Sequence, residues 1–292
     1  MKIKGYILAT ISAIFYGLLP LFILPIKAIH YPINTTLFYR LFLAAMSILS
    51  YLLYKKESLK VNKKEMLVLV ILGFLYALST DFLLLGYDAL TPGIASTILY
   101  AFPVIVVLIM TVFFKEKINR IAIISLIITM VGIVILGAQN SILVINFKGL
   151  VVSLLSALFY ALYIVIVNQS RIKVSGFKLT FYSLLISSMY YLGKMLLFGE
   201  SISIPDFGVL LNLILFSFVS TVLSITTLVY AIKFIGSTST SIMGAFEPIV
   251  AIVVSVTIFG ERLTLNLIAG VILILAGVIL NIVSNSRILN EH

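Results

Sequence analysis

The amino-acid sequence contains an internal repeat. The segment SAIFYG at 12–17 recurs as SALFYA at 156–161, and each copy follows a Lys-Gly pair, at 4–5 and at 148–149. Further residues recur at a constant offset of 145 positions, as in the pairs Pro103 and Pro248, Phe114 and Phe259, Glu116 and Glu261, and Gly132 and Gly277. A fixed period constrains the architecture before any local pattern does. We therefore predict two equivalent domains, residues 1–139 and 147–286.

The chain is too apolar to fold as a water-soluble domain. Of its 292 residues, 62% are hydrophobic and 10% are charged, and the mean hydropathy is +1.24. A helix needs about 20 apolar residues to cross about 30 Å of hydrocarbon. Charges and turn residues divide the chain into ten spans of this size, at 5–29, 33–54, 66–89, 93–114, 119–138, 148–168, 177–198, 207–232, 237–259 and 264–284.

Each domain holds five spans, and an odd number turns the second domain upside down relative to the first. Many secondary transporters are built from such inverted repeats, with the solute site at the repeat interface. Of the 20 Lys and Arg residues, 15 lie on the side of the two termini, four on the other side, and Arg40 lies inside a span. Cytoplasmic loops carry the excess of Lys and Arg, so we expect both termini in the cytoplasm. The predicted fold is an all-α integral protein of the plasma (inner) membrane, with ten transmembrane helices as two inverted five-helix repeats around a central cavity.

Several functions are disfavoured by what the sequence lacks. It has no cysteine and two histidines, His30 and His292, so we expect no metal cluster. It has no Walker A motif for ATP hydrolysis, and the serines have few basic partners for catalysis. We therefore expect neither an enzyme nor a cofactor. The basic residues lie between apolar spans, where lipid head groups explain them, so nucleic acid is not an expected partner.

Four ionisable residues within the spans are candidates for the site: Arg40, Asp81, Asp88 and Glu247. Such residues are costly in lipid and usually face a bundle interior or a transport pathway. At 1.5 Å per residue, Arg40 and Asp81 both lie about 10 to 12 Å below the outer face, so they can pair if their helices face each other. They form either a structural ion pair or a direct contact with the solute. Asp88 lies near the outer interface, where we expect it to be solvated.

Glu247 lies near the middle of the bilayer and directly precedes Pro248. Proline frees a backbone carbonyl and bends the helix, and transporters bind solutes or coupling ions at such broken helices. The alternative is a protonated carboxyl group that is kept for packing against a neighbouring helix. The first domain has Phe102 at the equivalent position, so the acid is not duplicated.

Tyrosines provide a second set of candidate binding residues. Tyr16 and Tyr160 occupy equivalent positions in the two domains, Tyr163 lies one turn after Tyr160, and Tyr100 lies just before Pro103. Tyrosine combines an apolar ring with a polar hydroxyl, which suits a mostly apolar cavity that must orient a polar group. The alternative for each tyrosine is packing or anchoring at the interface. The candidate hinges are the prolines Pro103, Pro248 and Pro20.

Three segments resemble a known family. They are GAFEPIVAIVVSVTIFGERLTLNLIAGVILILAGVIL at 244–280, YAFPVIVVLIMTVFFKEKI at 100–118 and FYRLFLAA at 38–45. The chain is similar in these segments to EamA-type permeases of the drug/metabolite transporter superfamily, although Lys115 and Lys117 surround Glu116 where the family more often has Gly-Glu-Arg. The resemblance implies ten helices in two inverted repeats around a central cavity. It implies transport of a solute such as an amino acid, another metabolite, a nucleobase or a toxic cation, and export is what such permeases commonly perform.

We therefore expect a secondary transporter that exports small metabolites such as amino acids by alternating access. Glu247 or Asp81 could exchange a proton for the solute. The alternatives are a permease for cationic drugs or nucleobases, and a channel. The expected partners are a small-molecule solute and the lipid bilayer.

Overall fold

The computed structural model describes residues 2–89, 95, 98–116, 119–137, 147–170, 172–199, 202, 205–244, 246–258 and 265–287. All regular secondary structure in these ranges is helical. Lipid offers no partner for an unpaired backbone N–H or C=O group, and a helix satisfies these groups internally. The expectation of an all-α protein is therefore confirmed.

The helices follow the predicted spans. The described part of the first half forms α1 (Lys2–Gly17), α2 (Leu19–Ala28), α3 (Ile33–Tyr54), α4 (Lys63–Ala89), α5 (Phe102–Phe114) and α6 (Arg120–Gly137). The described part of the second half forms α7 (Phe147–Gln169), α8 (Gly176–Leu197), α9 (Phe207–Leu215), a π-helix (Phe216–Leu223), α10 (Ser224–Met243), α11 (Phe246–Ile258) and α12 (Leu265–Arg287).

The lengths and composition of these helices indicate a multi-pass membrane protein. Among the described residues, five stretches are long and apolar enough to cross a bilayer: Lys2–Ile23, Ile33–Tyr54, Lys63–Gly86, Phe147–Gln169 and Phe207–Met243. Shorter apolar stretches lie in predicted spans four, five and ten, at Phe102–Phe114, Arg120–Gly132 and Ile268–Gly277. The number of spans and the side of each terminus stay predictions.

Helical interruptions occur at matching places in spans four and nine. In span four, a turn at 100–101 precedes α5, and Pro103 lies in the first turn of that helix. Proline fits there because a first-turn residue needs no intrahelical N–H partner. In span nine, α10 ends just before Gly244, and α11 begins at Phe246 with Glu247 in its first turn. Span one is also broken, at Leu18 between α1 and α2.

Spans eight and nine are separated by a glycine. Gly236 has φ 79° and ψ 171° inside the stretch from Ser224 to Met243. Residues with a Cβ rarely adopt this conformation, so span eight ends and span nine begins at this position, close to the predicted limits of 232 and 237. Earlier in span eight, the helix widens into the π-helix, which shifts the helical register at this point.

Serine hydrogen bonds join the first helix of each half to the other half. Ser12 of α1 donates to the carbonyl oxygen of Ser224 in α10 at 2.9 Å. Ser156 of α7 donates to the carbonyl oxygen of Ser79 in α4 at 2.6 Å, and Ser79 donates to the Ser156 carbonyl at 3.1 Å. All four residues are buried, so these bonds compete with no water. They tie α1 to α10 and α7 to α4.

Small residues bring α6 and α12 close together. A Cβ on Gly132 would lie 2.8 Å from the carbonyl oxygen of Gly270, and a Cβ on Gly277 would collide with the Thr129 side chain. The absence of a side chain lets the two helix backbones approach, which is how helices associate in lipid. The glycines duplicated in the sequence therefore serve helix packing.

Candidate functional site

An aromatic cluster lies where the two halves of the chain meet. The rings of Tyr16 and Tyr160 stack with centroids 6.5 Å apart and an interplanar angle of 17°. Phe102 meets Tyr160 edge-on at 4.8 Å, and Tyr76 of α4 lies 5.8 Å from Tyr163. Aromatic pairs at these separations attract each other. The cluster therefore links α1, α4, α5 and α7.

Glu247 lies beside this aromatic cluster. Glu247 is 2% exposed, and its carboxyl group is within electrostatic range of both Tyr76 and Tyr160. A Cβ on Gly17 would lie 2.6 Å from the Glu247 carbonyl oxygen. Because Gly17 has no side chain, α1 approaches the helical turn that carries the carboxyl group.

Arg40 is buried near the aromatic cluster. The residue is 3% exposed, and its Nε donates to Oγ1 of Thr221 in the π-helix at 2.8 Å. The guanidinium carbon lies 4.3 Å from the centroid of the Phe216 ring, a cation–π distance. Among the described residues, the Nη2 atom has no hydrogen-bond partner. Both Arg40 and Glu247 are within electrostatic range of Tyr76.

Of the two alternatives for Arg40 and Asp81, the ion pair between them is not formed in the structure, because Asp81 has another partner. Asp81 accepts hydrogen bonds from Lys194 Nζ at 2.9 and 3.0 Å and from the hydroxyl of Tyr190. Both partners lie in α8, which packs against α3 and α4. Depth along a helix gives the height of a side chain in the membrane but not the direction in which it points.

The other predicted residues lie around the cluster. Tyr100 is half-buried in the turn before α5, and Pro103 is buried at the start of that helix. Pro20 belongs to α2 and Pro248 to the first turn of α11, and their side chains lie outside the described part of the structure. Asp88 is exposed, as expected.

The structure brings together Glu247, Tyr16, Tyr160 and Tyr163, and adds residues that sequence reasoning missed. Tyr76 occurs in one copy of the repeat, so duplication did not mark it. Lys194 is counted with the outer side of the membrane, but it lies within the limits of predicted span seven, at 177–198. A lysine inside a span is itself a signal that a counter-ion lies nearby.

A separate pocket lies at helix ends that the topology predicts to be cytoplasmic. It has a volume of about 270 Å³ and is lined by Val167, Asn168, Ile172, Leu179 and Lys233. Lys233 Nζ donates to the carbonyl oxygen of Val174 at 2.7 Å. In the part of the chain that the structure describes, no group of three or more His, Cys, Asp or Glu residues could hold a metal ion.

Comparison with known proteins identifies the family. The model of the EamA-like transporter family matches the chain twice, at residues 3–138 and 147–283. The chain belongs to the EamA-like transporter family. The resemblance seen in the sequence is thereby confirmed, and membership of this family points to transport rather than catalysis.

EamA-like relatives are found in bacteria and archaea. The uncharacterized transporter YxxF of Bacillus subtilis is 28% identical over 243 residues, which cover 79% of this chain and 73% of that protein. An uncharacterized transporter of Archaeoglobus fulgidus is 28% identical over 188 residues, covering 64% of this chain and 66% of that protein. A solved crystal structure of a protein superposes on this chain with a TM-score of 0.84 at 14% identity. It covers 97% of this chain and 98% of its own, so the two share a fold.

Proposed function

We propose that this chain is a secondary transporter that exports small metabolites, such as amino acids, across the plasma (inner) membrane by alternating access. The transporter family and the names of the relatives support transport. The solute, the direction and the mechanism are proposed from the residues that surround Glu247.

The position of Glu247 carries this proposal. Its carboxyl group is buried in the first turn of α11, directly after the interruption of span nine. The Tyr16–Tyr160 stack lies beside it. Interrupted helices in transporters offer backbone groups and helix ends to solutes and coupling ions near the bilayer midplane. A buried carboxyl group and aromatic walls at such a break form a mostly apolar site with one charged or protonatable group.

Two sets of serine contacts support an inverted arrangement of two domains, 1–139 and 147–286. The contact of Ser12 with Ser224 joins the first helix of the first domain to the third of the second domain. The contact of Ser156 with Ser79 joins the first helix of the second domain to the third of the first domain. A two-fold axis would exchange these contacts, and the odd number of predicted spans in each domain puts that axis in the membrane plane. Ten spans and cytoplasmic termini belong to this proposal.

Two contacts between the domains are proposed as gates. The ion pair of Asp81 with Lys194 joins α4 to α8 near the predicted outer face. Thr238 donates to the Glu116 carboxylate at 3.2 Å near the predicted inner face. Each contact must break when the cavity opens to its side. The proposed hinges are the prolines at the interrupted helices: Pro20, Pro103 and Pro248.

The proposed energy source is a gradient of solute or protons. A carboxyl group that binds a proton in one orientation and releases it in the other couples the two fluxes, and Glu247 is placed beside the aromatic cluster to do so. Uniport and exchange need no such coupling, so the pH dependence of transport separates these modes.

Counterflow in proteoliposomes tests the proposal. Uptake of labelled amino acids should saturate and should accelerate when unlabelled solute is loaded inside, because a carrier returns faster when it is occupied. Glu247→Gln should lose about tenfold or more of the rate together with its pH dependence. The matched neutralisation Asp88→Asn, at an exposed carboxylate, should retain both. An unaltered Glu247→Gln would remove this residue from the mechanism, and uptake without acceleration would indicate a channel.

A further inference from the structure

Arg40 places a positive charge inside the protein. It lies seven residues after Ile33, where α3 begins, and therefore about 10 Å below the predicted outer face. The residue is 3% exposed. Because a guanidinium group stays charged in proteins, a full positive charge is buried at this depth.

Among the described residues, the contacts of Arg40 are with uncharged groups. Thr221 accepts from Nε, and the ring of Phe216 lies under the guanidinium group. Nη2 has no hydrogen-bond partner in the described part of the chain. Asp81, the carboxylate predicted to lie at the same depth, forms its ion pair with Lys194 instead. A buried charge with an unused donor is costly unless a ligand completes its shell.

The surroundings of Arg40 resemble a binding site rather than a packing contact. Thr221 and Phe216 both belong to the π-helix, and π-helical turns occur frequently at functional sites. In the same turn, the Ser220 hydroxyl is buried and has no hydrogen-bond partner among the described residues. Tyr76 of the aromatic cluster lies within electrostatic range of Arg40. Unused hydrogen-bonding groups of Arg40 and Ser220 are therefore buried at the π-helix, near the aromatic cluster.

We propose that Arg40 binds a carboxylate group of the transported solute. The planar fork of a guanidinium matches the two oxygens of a carboxylate, and a single positive charge suits a single negative one. The aromatic cluster, which includes Tyr76, supplies apolar contact for the rest of the solute. This inference depends on the transport function proposed above, and it restricts the solute to organic acids and zwitterions, to the exclusion of purely cationic drugs.

Binding to the purified full-length protein tests the assignment. The probes are sets built on one side chain, such as phenylalanine with phenylpropanoate, phenylalaninamide and phenethylamine, and the same sets for leucine and methionine. Ligands that bind the folded state raise its melting temperature. Members with a carboxylate should stabilise the wild type, and amides and amines should not. Stabilisation by phenylalanine alone would identify a zwitterion, and stabilisation by phenylpropanoate as well would identify an organic acid.

Variants of Arg40 make the test specific. Arg40→Gln should weaken carboxylate binding by about tenfold or more, because a charged hydrogen bond is lost. Arg40→Lys should retain part of it, since it keeps the charge but not the fork. Lys64→Gln removes an exposed charge at the start of α4 and should leave binding unchanged. If Arg40→Gln does not fold, the proposal is still tested by the ligand selectivity of the wild type and by the weaker carboxylate binding expected of Arg40→Lys.

Counterflow separates failure of this inference from failure of the proposed function. Stabilisation by amides and amines equal to that by carboxylates, with counterflow of either class intact, would overturn the carboxylate site and leave transport standing. Equal carboxylate binding by the wild type and a folded Arg40→Gln would do the same. Absence of binding and counterflow for every probe would count against both proposals.

Discussion

Phe102 and Glu247, which occupy equivalent positions of the repeat, meet at Gly244. A Cβ added to Gly244 would lie 2.9 Å from the Cζ atom of Phe102 and 3.6 Å from Oε1 of Glu247. The interruption of span nine therefore packs directly against the first turn of α5. The two interrupted spans touch each other at the point where their breaks occur.

This contact predicts the effect of a single methyl group. Gly244→Ala should displace the Phe102 ring and lower stability by about 1–3 kcal/mol, because the added carbon has no room. The transport rate of the folded protein should also fall, because the displaced ring packs on Tyr160 in the candidate site. The control is Gly193→Ala, where nothing lies within 4 Å of the new Cβ. Equal melting temperatures and rates for the two variants would contradict the close contact.

The paired serine contacts predict matched losses of stability. Ser12→Ala and Ser156→Ala should each lower the free energy of unfolding in mixed micelles by about 1 kcal/mol, since each removes one buried interhelical hydrogen bond. Ser47→Ala should cost less, because Ser47 is exposed and bonds only within its own helix. A cost for Ser12 or Ser156 no greater than that for Ser47 would contradict this account.

The ion pair of Asp81 predicts a measurable coupling. A double-mutant cycle of Asp81→Asn with Lys194→Gln should give a coupling energy of about 1 kcal/mol, because the two side chains are in direct contact. The Arg40→Gln cycle with Asp81→Asn should give a value near zero. If Asp81 couples more strongly to Arg40 than to Lys194, the ion pair of Arg40 with Asp81 is formed and this account is contradicted.

The sequence was sufficient to predict the helices and part of the candidate site. Tyr16 and Tyr160 could be selected because the repeat duplicates them, and Glu247 because an acid inside a span is rare. In the proposed inverted repeat, equivalent residues lie at opposite heights about the midplane, so they can meet only when both lie near it. The break at Gly236 was marked by a glycine between two apolar spans.

Other features could not be predicted, for physical reasons. The partner of Asp81 depended on the rotation of α4 and α8 about their axes, which helical depth does not specify. The π-helix that presents Thr221 to Arg40 has no distinctive residue pattern in FSFVSTVL at 216–223. Tyr76 has no tyrosine at the equivalent position of the second copy, so the repeat did not mark it, and its place in the aromatic cluster became visible only in the structure.

Inverted orientation of the two halves is the central claim, and cysteine labelling tests it most directly. The chain has no cysteine, so a single introduced thiol is labelled without background. Lys63 begins the third span of the first half, and Phe207 begins the third span of the second half. In intact cells, a membrane-impermeant maleimide should label Phe207→Cys from outside, and should reach Lys63→Cys only after permeabilisation. Labelling of both thiols from the same side would contradict the inverted repeat, and with it the proposed mechanism.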